Sequence, residues 1–114
     1  HHAKLDRWLQ PGGHADGEEN VSKVAIKEMT DETGLKNFHF AHPSFFDLDI
    51  HIIPQRKEVP EHEHYDFRFH FIAVDPSEIV KNNESLELKW VTLDNVSQLV
   101  GNEQSIMRML EKTK

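Results

Sequence analysis

Three carboxylates, Glu28, Asp31 and Glu32, are spaced so that a helix places them on one arc. An α-helix turns about 100° per residue, so Asp31 falls about 60° to one side of Glu28 and Glu32 about 40° to the other. Val21, Val24 and Ala25 lie on the same stripe in the preceding turns, and such a stripe normally faces a core. Acids therefore stand where packing residues are expected. Like charges at these spacings repel by a few tenths of a kcal/mol each, and acids in a last turn oppose the helix dipole. A divalent cation among the oxygens would offset both costs, and a compact set of hard oxygen donors suits Mg²⁺ or Mn²⁺. A solvated acidic face is the competing reading, and helical geometry alone does not separate the two.

The helix that must hold these acids runs from Asn20 to about Thr33, with Asn20 as its N-cap and Gly34 as its stop. Before it, Lys4–Gln10 reads as a strand running into a turn at Pro11-Gly12-Gly13. After it, Asp47–Ile53 alternates polar and apolar residues as a strand does, and Pro54 ends it. Gln55–Glu63 is a charged loop. Tyr65–Val74 is a second strand, and Leu86–Thr92, centred on Trp90, a third. Leu93–Val96 begins a turn or short helix. Asn102–Glu111 is a terminal helix whose apolar side is Ile106, Met107, Met109 and Leu110. Mixed helices and strands with antiparallel neighbours predict the α+β class.

Composition narrows the chemistry. The 114 residues suit one domain spanning 1–114. Asp and Glu number 20 against 13 Lys and Arg, a formal charge of −7. That balance argues against a basic coat on DNA or RNA, but not against a phosphorylated small molecule whose charge a cation neutralises. No cysteine is present, which excludes disulfides, thiolate metal sites and a cysteine nucleophile. No apolar run approaches the ~18 residues of a membrane span. A cytoplasmic protein is the expectation. The opening His1-His2-Ala3 reads as a tag remnant, and the chain is expected to start inside a domain.

Taken as a unit, Gly13–Leu35 resembles the Nudix box, G-x5-E-x7-REUxEExGU with U a bulky aliphatic residue. Gly13, Glu19, Glu28, Glu32, Gly34 and Leu35 match, and Met29 takes the first U position. Lys27 stands in place of Arg and loses its bidentate fork. Asp31 stands in place of Glu and is one methylene shorter. Leu86–Val91 is similar to the family's late strand before its final helix. The resemblance implies an α/β/α sandwich with a mixed sheet, here expected to lack its extreme N-terminal strand or strands.

It also implies a hydrolase that cleaves the pyrophosphate bond of a nucleoside diphosphate linked to another moiety, using Mg²⁺ or Mn²⁺ and water. Its partner would be that small molecule, with a homodimer left open. By this likeness Glu28 and Glu32 are metal ligands, Asp31 a third ligand or a support, and the Gly13 carbonyl a further donor. Glu19 would pair with Lys27 and brace the helix start. Glu28 is one candidate base, and Glu84 or Glu87 a further carboxylate from a late segment. The alternative is a Nudix-like nucleotide-binding or regulatory module without turnover, for which the changes at 27 and 31 leave room.

Nine histidines remain to be placed. His62-Glu63-His64 has the wrong spacing for a helical zinc signature. Strand alternation puts Asp47, Asp49 and His51 on one face, and Asp66, Arg68 and His70 opposite Phe67, Phe69 and Phe71. Pairing these strands makes a charged ladder with Arg68 near Asp47 or Asp49. Most of this face is expected to meet solvent. His14, beside the glycine turn, is the first choice for substrate contact, followed by Arg68 and His64. Trp8, Tyr65 and Trp90 are available to stack on a base, although aromatic residues in strands usually fill cores.

Overall fold

A computed structural model describes residues 1–113. Helix α1 spans Val21–Thr33, with the Asn20 side chain accepting from the Lys23 N–H. Gly34 closes it at φ 76°, in the left-handed conformation, and donates to the Thr30 carbonyl. A Cβ at Gly34 would meet the Val80 backbone nitrogen at 2.9 Å, and Val80 donates to the Thr33 carbonyl at 2.7 Å. Glycine is thus needed twice over here, for its backbone angle and for the close approach.

Strand β1 is Phe38–Phe40, β2 Asp47–Ile53, β3 His62–Arg68 and β4 Phe71–Ala73. A short 3₁₀ turn at Pro76–Glu78 follows, then a second at Leu93–Asn95, α2 at Val96–Val100 and α3 at Gln104–Lys112. β2 pairs antiparallel with β3, and β1 with β4. The α+β class expected from the sequence is observed, its described ladders being two short antiparallel pairs. The expected Tyr65–Val74 strand is two strands. Ala41–Phe46, with Pro43 in its middle, lies opposite only Phe69-His70, so one ladder must end before the other begins. β1 was not foreseen, because its three residues carry no period.

Two expected strands are absent. Lys4–Gln10 forms turns around an isolated bridge between His2 and Arg7. Leu86–Thr92 has strand-like alternation but no ladder. It meets the first residues through a Ser85–His2 bridge and a Leu86 N–H bond to the His1 carbonyl. Alternation shapes a segment, but a strand also needs a neighbour to accept its hydrogen bonds.

The β2–β3 hairpin reverses the expected orientation. Its apolar face is open, with Ile50, Ile52, Tyr65 and Phe67 at 51%, 63%, 54% and 40% exposure. Its charged face does not meet solvent at the Asp47 end, where Asp47 and Arg68 are buried under α3. Arg108 from α3 grips Asp47 with two nitrogens at 3.0 and 2.7 Å and reaches Asp49 at 3.1 Å. Lys112 also donates to Asp47. Arg68 lies opposite Asp47 in register, 3.5 Å from its carboxylate, and donates to Ser105 Oγ at 2.7 Å. A paired ion network of this kind can be buried where a lone charge cannot, although Arg68 Nε and Nη1 make no hydrogen bond there.

Arg108 and Lys112 hold the Asp47 carboxyl down at about 2. A depressed carboxyl contributes stability that is complete above its unfolded value and disappears as pH falls through the folded one. The window here runs from about pH 4 down to about 2 and involves about 2 kcal/mol. Thermal unfolding followed across that window should show the loss, and Asp47→Asn should flatten it while lowering stability at pH 7. An unchanged pH profile in that variant would contradict this role.

Candidate active site

The helical stripe carries Glu28 and Glu32 inward, as the sequence spacing requires. Val21, Val24, Ala25, Glu28, Met29 and Glu32 are all half-buried, whereas Asp31 is exposed. Asp31 is drawn aside by Lys27, whose Nζ lies 3.0 Å from its carboxylate and 3.6 Å from Glu28. The partners of Lys27 are therefore Asp31 and Glu28. The expected pairing with Glu19 is not formed: Glu19 sits one residue before the N-cap, well up the helix from Lys27's i,i+4 partner.

Two adjacent glycines receive the two inward acids. The Gly12 N–H donates to Glu32 Oε2 at 2.7 Å. Gly13 lies so close to Glu28 that an added Cβ would be 2.5 Å from its carboxyl carbon. The turn before the helix thus folds back onto the last turns of α1. Burial pushes the Glu32 carboxyl above its ordinary value, the Gly12 hydrogen bond opposes that, and the charges of Glu28, Glu84 and Asp31 push it further up. No basic residue occupies the last turn of α1 to relieve them.

Glu84 reaches this neighbourhood through a turn tied to the helix end. Asn82 Nδ2 donates to the Asp31 carbonyl at 3.2 Å, and Asn82 Oδ1 accepts from the Glu84 N–H at 2.9 Å. Of the two late acids expected to add a carboxylate, Glu84 acts on Glu32 directly. Glu87 instead lines the adjoining cavity, its carboxylate 4.0 Å from Lys89.

That cavity has a volume of about 280 Å³. Glu32, Met29 and Thr33 contribute the α1 wall, and Trp8, Phe71, Leu88 and Trp90 are among the apolar lining. The two tryptophans are not core residues. Trp8 already stacks on His1, with ring centroids 5.0 Å apart, and carries Lys89 Nζ 4.7 Å from its ring centre. Trp90 is 55% exposed and is oriented by a 2.8 Å bond from Nε1 to the Pro76 carbonyl. Tyr65 lies elsewhere, on the open hairpin face, bonded to Glu63.

The basic candidates divide. Arg68 is 8% exposed and committed to Asp47 and Ser105, so it is a ladder residue and not a substrate contact. His14 and His64 are brought together, their rings edge to face at 5.7 Å. His51, opposite His64 in register, and Asp66 complete a cluster that the sequence reading did not assemble. The signal was present in the matched polar positions of two alternating strands, but only the register reveals it.

The family model of the NUDIX domain matches residues 1–111. The chain belongs to the Nudix family. Members of this family are in general pyrophosphohydrolases that act on nucleoside diphosphate derivatives and typically use divalent metals. No curated protein matches the chain. Within this Nudix domain the box, Gly13–Leu35, contains the whole of α1, and no helix among the described residues is long and apolar enough to cross a membrane.

The raised Glu32 carboxyl has a thermodynamic consequence. A carboxyl raised by folding favours the native state at low pH, and that contribution is lost as pH rises from the unfolded value through the folded one. At pH 7 without divalent cations the charged Glu32 is therefore a cost. Glu32→Gln keeps an acceptor for the Gly12 N–H and removes the charge. Its melting temperature in EDTA at pH 7 should equal or exceed that of the native sequence. A clear drop would show that the carboxylate is not under electrostatic strain.

Proposed function

We propose that this Nudix domain, acting as one unit over residues 1–114, hydrolyses the pyrophosphate bond of a nucleoside diphosphate linked to another moiety, with Mg²⁺ or Mn²⁺. The observation that carries this reading is the convergence of Glu28 and Glu32 on the Gly12–Gly13 turn, at the wall of an aromatic cavity. The donor set fits a hard divalent cation: two inward carboxylates, one of them raised by burial and by its acidic neighbours, and a glycine backbone close enough to add a carbonyl. Glu28, Glu32 and the Gly13 carbonyl are the proposed ligands. Asp31, engaged by Lys27, is proposed to act from outside that set. When bound, the cation supplies charge neutralisation of the diphosphate and a more acidic water.

The chain's own groups supply the rest. Lys27 holds Asp31 away and limits repulsion beside Glu28. The Gly12 N–H fixes the Glu32 rotamer. Glu84, whose turn is anchored to the helix end by Asn82, is the carboxylate we assign to accept the proton from the attacking water. Trp90, with an open ring and a fixed edge, offers a platform for the base, and its apolar neighbours exclude water from that end of the substrate.

A panel of nucleoside diphosphate compounds with Mg²⁺, assayed for released phosphate or nucleotide, tests the activity. Glu32→Gln should lower turnover by at least about a hundredfold, the scale of losing one charge-stabilising group, with circular dichroism unchanged. Near-native rates would remove the ligand assignment. Nucleotide binding without turnover on any compound would favour the regulatory module instead. Trp90→Leu should raise KM severalfold and leave kcat within about twofold, since uniform binding is lost and not transition-state binding. A fall in kcat alone would place Trp90 outside the base site.

A further inference from the structure

The polar face of the hairpin ends in a second group of ligating side chains that shares no residue with the Nudix box. His51 on β2 and His64 on β3 are register partners, and Asp49 and Asp66 form the next pair on the same face. One ligand atom from each of His51, His64 and Asp66 lies within 4.8 Å of the others. His64 Nδ1 is 3.5 Å and His51 Nδ1 3.9 Å from the Asp66 carboxylate, and Asp49 Oδ2 stands 3.2 Å from that same His51 nitrogen.

Charge accounting at this end of the ladder is incomplete. Two carboxylates directly opposite each other in a sheet repel. Asp49 is compensated by Arg108 at 3.1 Å and by Arg68 at 3.9 Å. Among the described residues, the ion-pair partners of Asp66 are the two imidazoles alone. The cluster thus joins two nitrogen donors to a carboxylate without a permanent cation. The side chains of His51, His64 and Asp66 are 41%, 38% and 29% exposed, so an ion can enter from solvent.

We propose that His51, His64 and Asp66 form a second divalent-cation site, suited to a first-row transition ion of the Zn²⁺ type rather than to Mg²⁺. Imidazole nitrogen with one carboxylate matches the donor preference of Zn²⁺, whereas Mg²⁺ takes oxygen. Donors around a tetrahedral ion at ~2.0 Å stand about 3.3 Å apart, so side-chain rotation of an ångström or so closes the set. A paired strand register holds the two histidines side by side. Three protein donors leave a coordination position open toward solvent. His14, beside the glycine turn of the box, packs against His64, so the cluster touches the box through this ring contact without using its proposed ligands.

Co²⁺ is the probe, because nitrogen ligation in a four- or five-coordinate site gives it strong visible absorption. The box is first silenced with Glu28→Gln/Glu32→Gln, and Co²⁺ is titrated into that protein. We expect one equivalent to develop the band and Zn²⁺, but not Mg²⁺, to abolish it. The band should disappear in His51→Gln/His64→Gln and in Asp66→Asn, each made in the silenced background and checked for native circular dichroism. It should persist in His42→Gln, which removes the separate His42–His70 contact at 3.2 Å. Absence of the band in the silenced protein, or its survival without His51 and His64, would overturn the proposal. Mg²⁺-dependent turnover of the unsilenced chain reports on the box independently, so failure of one site does not read as failure of the other.

Discussion

The constraint around which the molecule is arranged is electrostatic: like charges must coexist at the wrong end of a helix. Glu28, Asp31 and Glu32 occupy the final turns of α1, where the backbone already presents carbonyl oxygens and where no basic residue is supplied. Three local devices make this tolerable. Lys27 draws Asp31 to the solvent side, the Gly12 N–H bonds Glu32, and Gly13 leaves Glu28 the room a side chain would have taken. Of the inward pair, Glu28 has Lys27 at 3.6 Å, while Glu32 has no ion-pair partner among the described residues. The rest of the neighbourhood then packs against that helix end, through the Asn82 bond to the Asp31 carbonyl and the Val80 bond to Thr33.

A second arrangement of charge gives the opposite result. Around Asp47 every charge has a partner, and burial there strengthens attraction. The network fixes how α3 lies on β2 and β3, and it explains why the hairpin turns its charged face inward. Placing Ile50 and Phe67 inside would have left Asp47, Arg68 and Arg108 to water, where exposed pairs contribute little. Orientation is thus decided by a polar network, and the apolar face is left open.

The sequence disclosed what depends on local periodicity. α1, its Asn20 cap and its Gly34 stop are set by neighbours within a turn, so spacing alone located them. β2 and the apolar side of α3 were legible for the same reason. The inward direction of Glu28 and Glu32 followed from the same wheel, whereas the outward direction of Asp31 did not, because Lys27 decides it. What failed was non-local. Leu86–Thr92 looks like a strand but forms no ladder, Tyr65–Val74 is divided between two partners, and which hairpin face is buried depends on α3 some forty residues later. The His51–His64–Asp66 cluster belongs to this class too, since its members meet only through cross-strand register.

Charge also bears on how the substrate can be held. The proposed diphosphate would approach a chain of formal charge −7, and the cavity beside Glu32 has Lys89 as the one Lys or Arg among its lining residues. Lys89 is itself placed over Trp8, and Arg68, a promising phosphate contact by sequence, is buried in the ladder. The cations nearest the box and the ladder, Lys27, Arg68, Arg108 and Lys112, are thus paired with the protein's own carboxylates. In the proposed reading, affinity for the base comes from Trp90 and the apolar wall, which do not discriminate charge. At the diphosphate end the chain offers mostly oxygen donors, which repel phosphate unless positive charge is brought from outside. The division of labour follows from this: side chains of the chain provide shape and position, and the proposed hydrolysis obtains its charge stabilisation from ions that the carboxylates of α1 are placed to recruit.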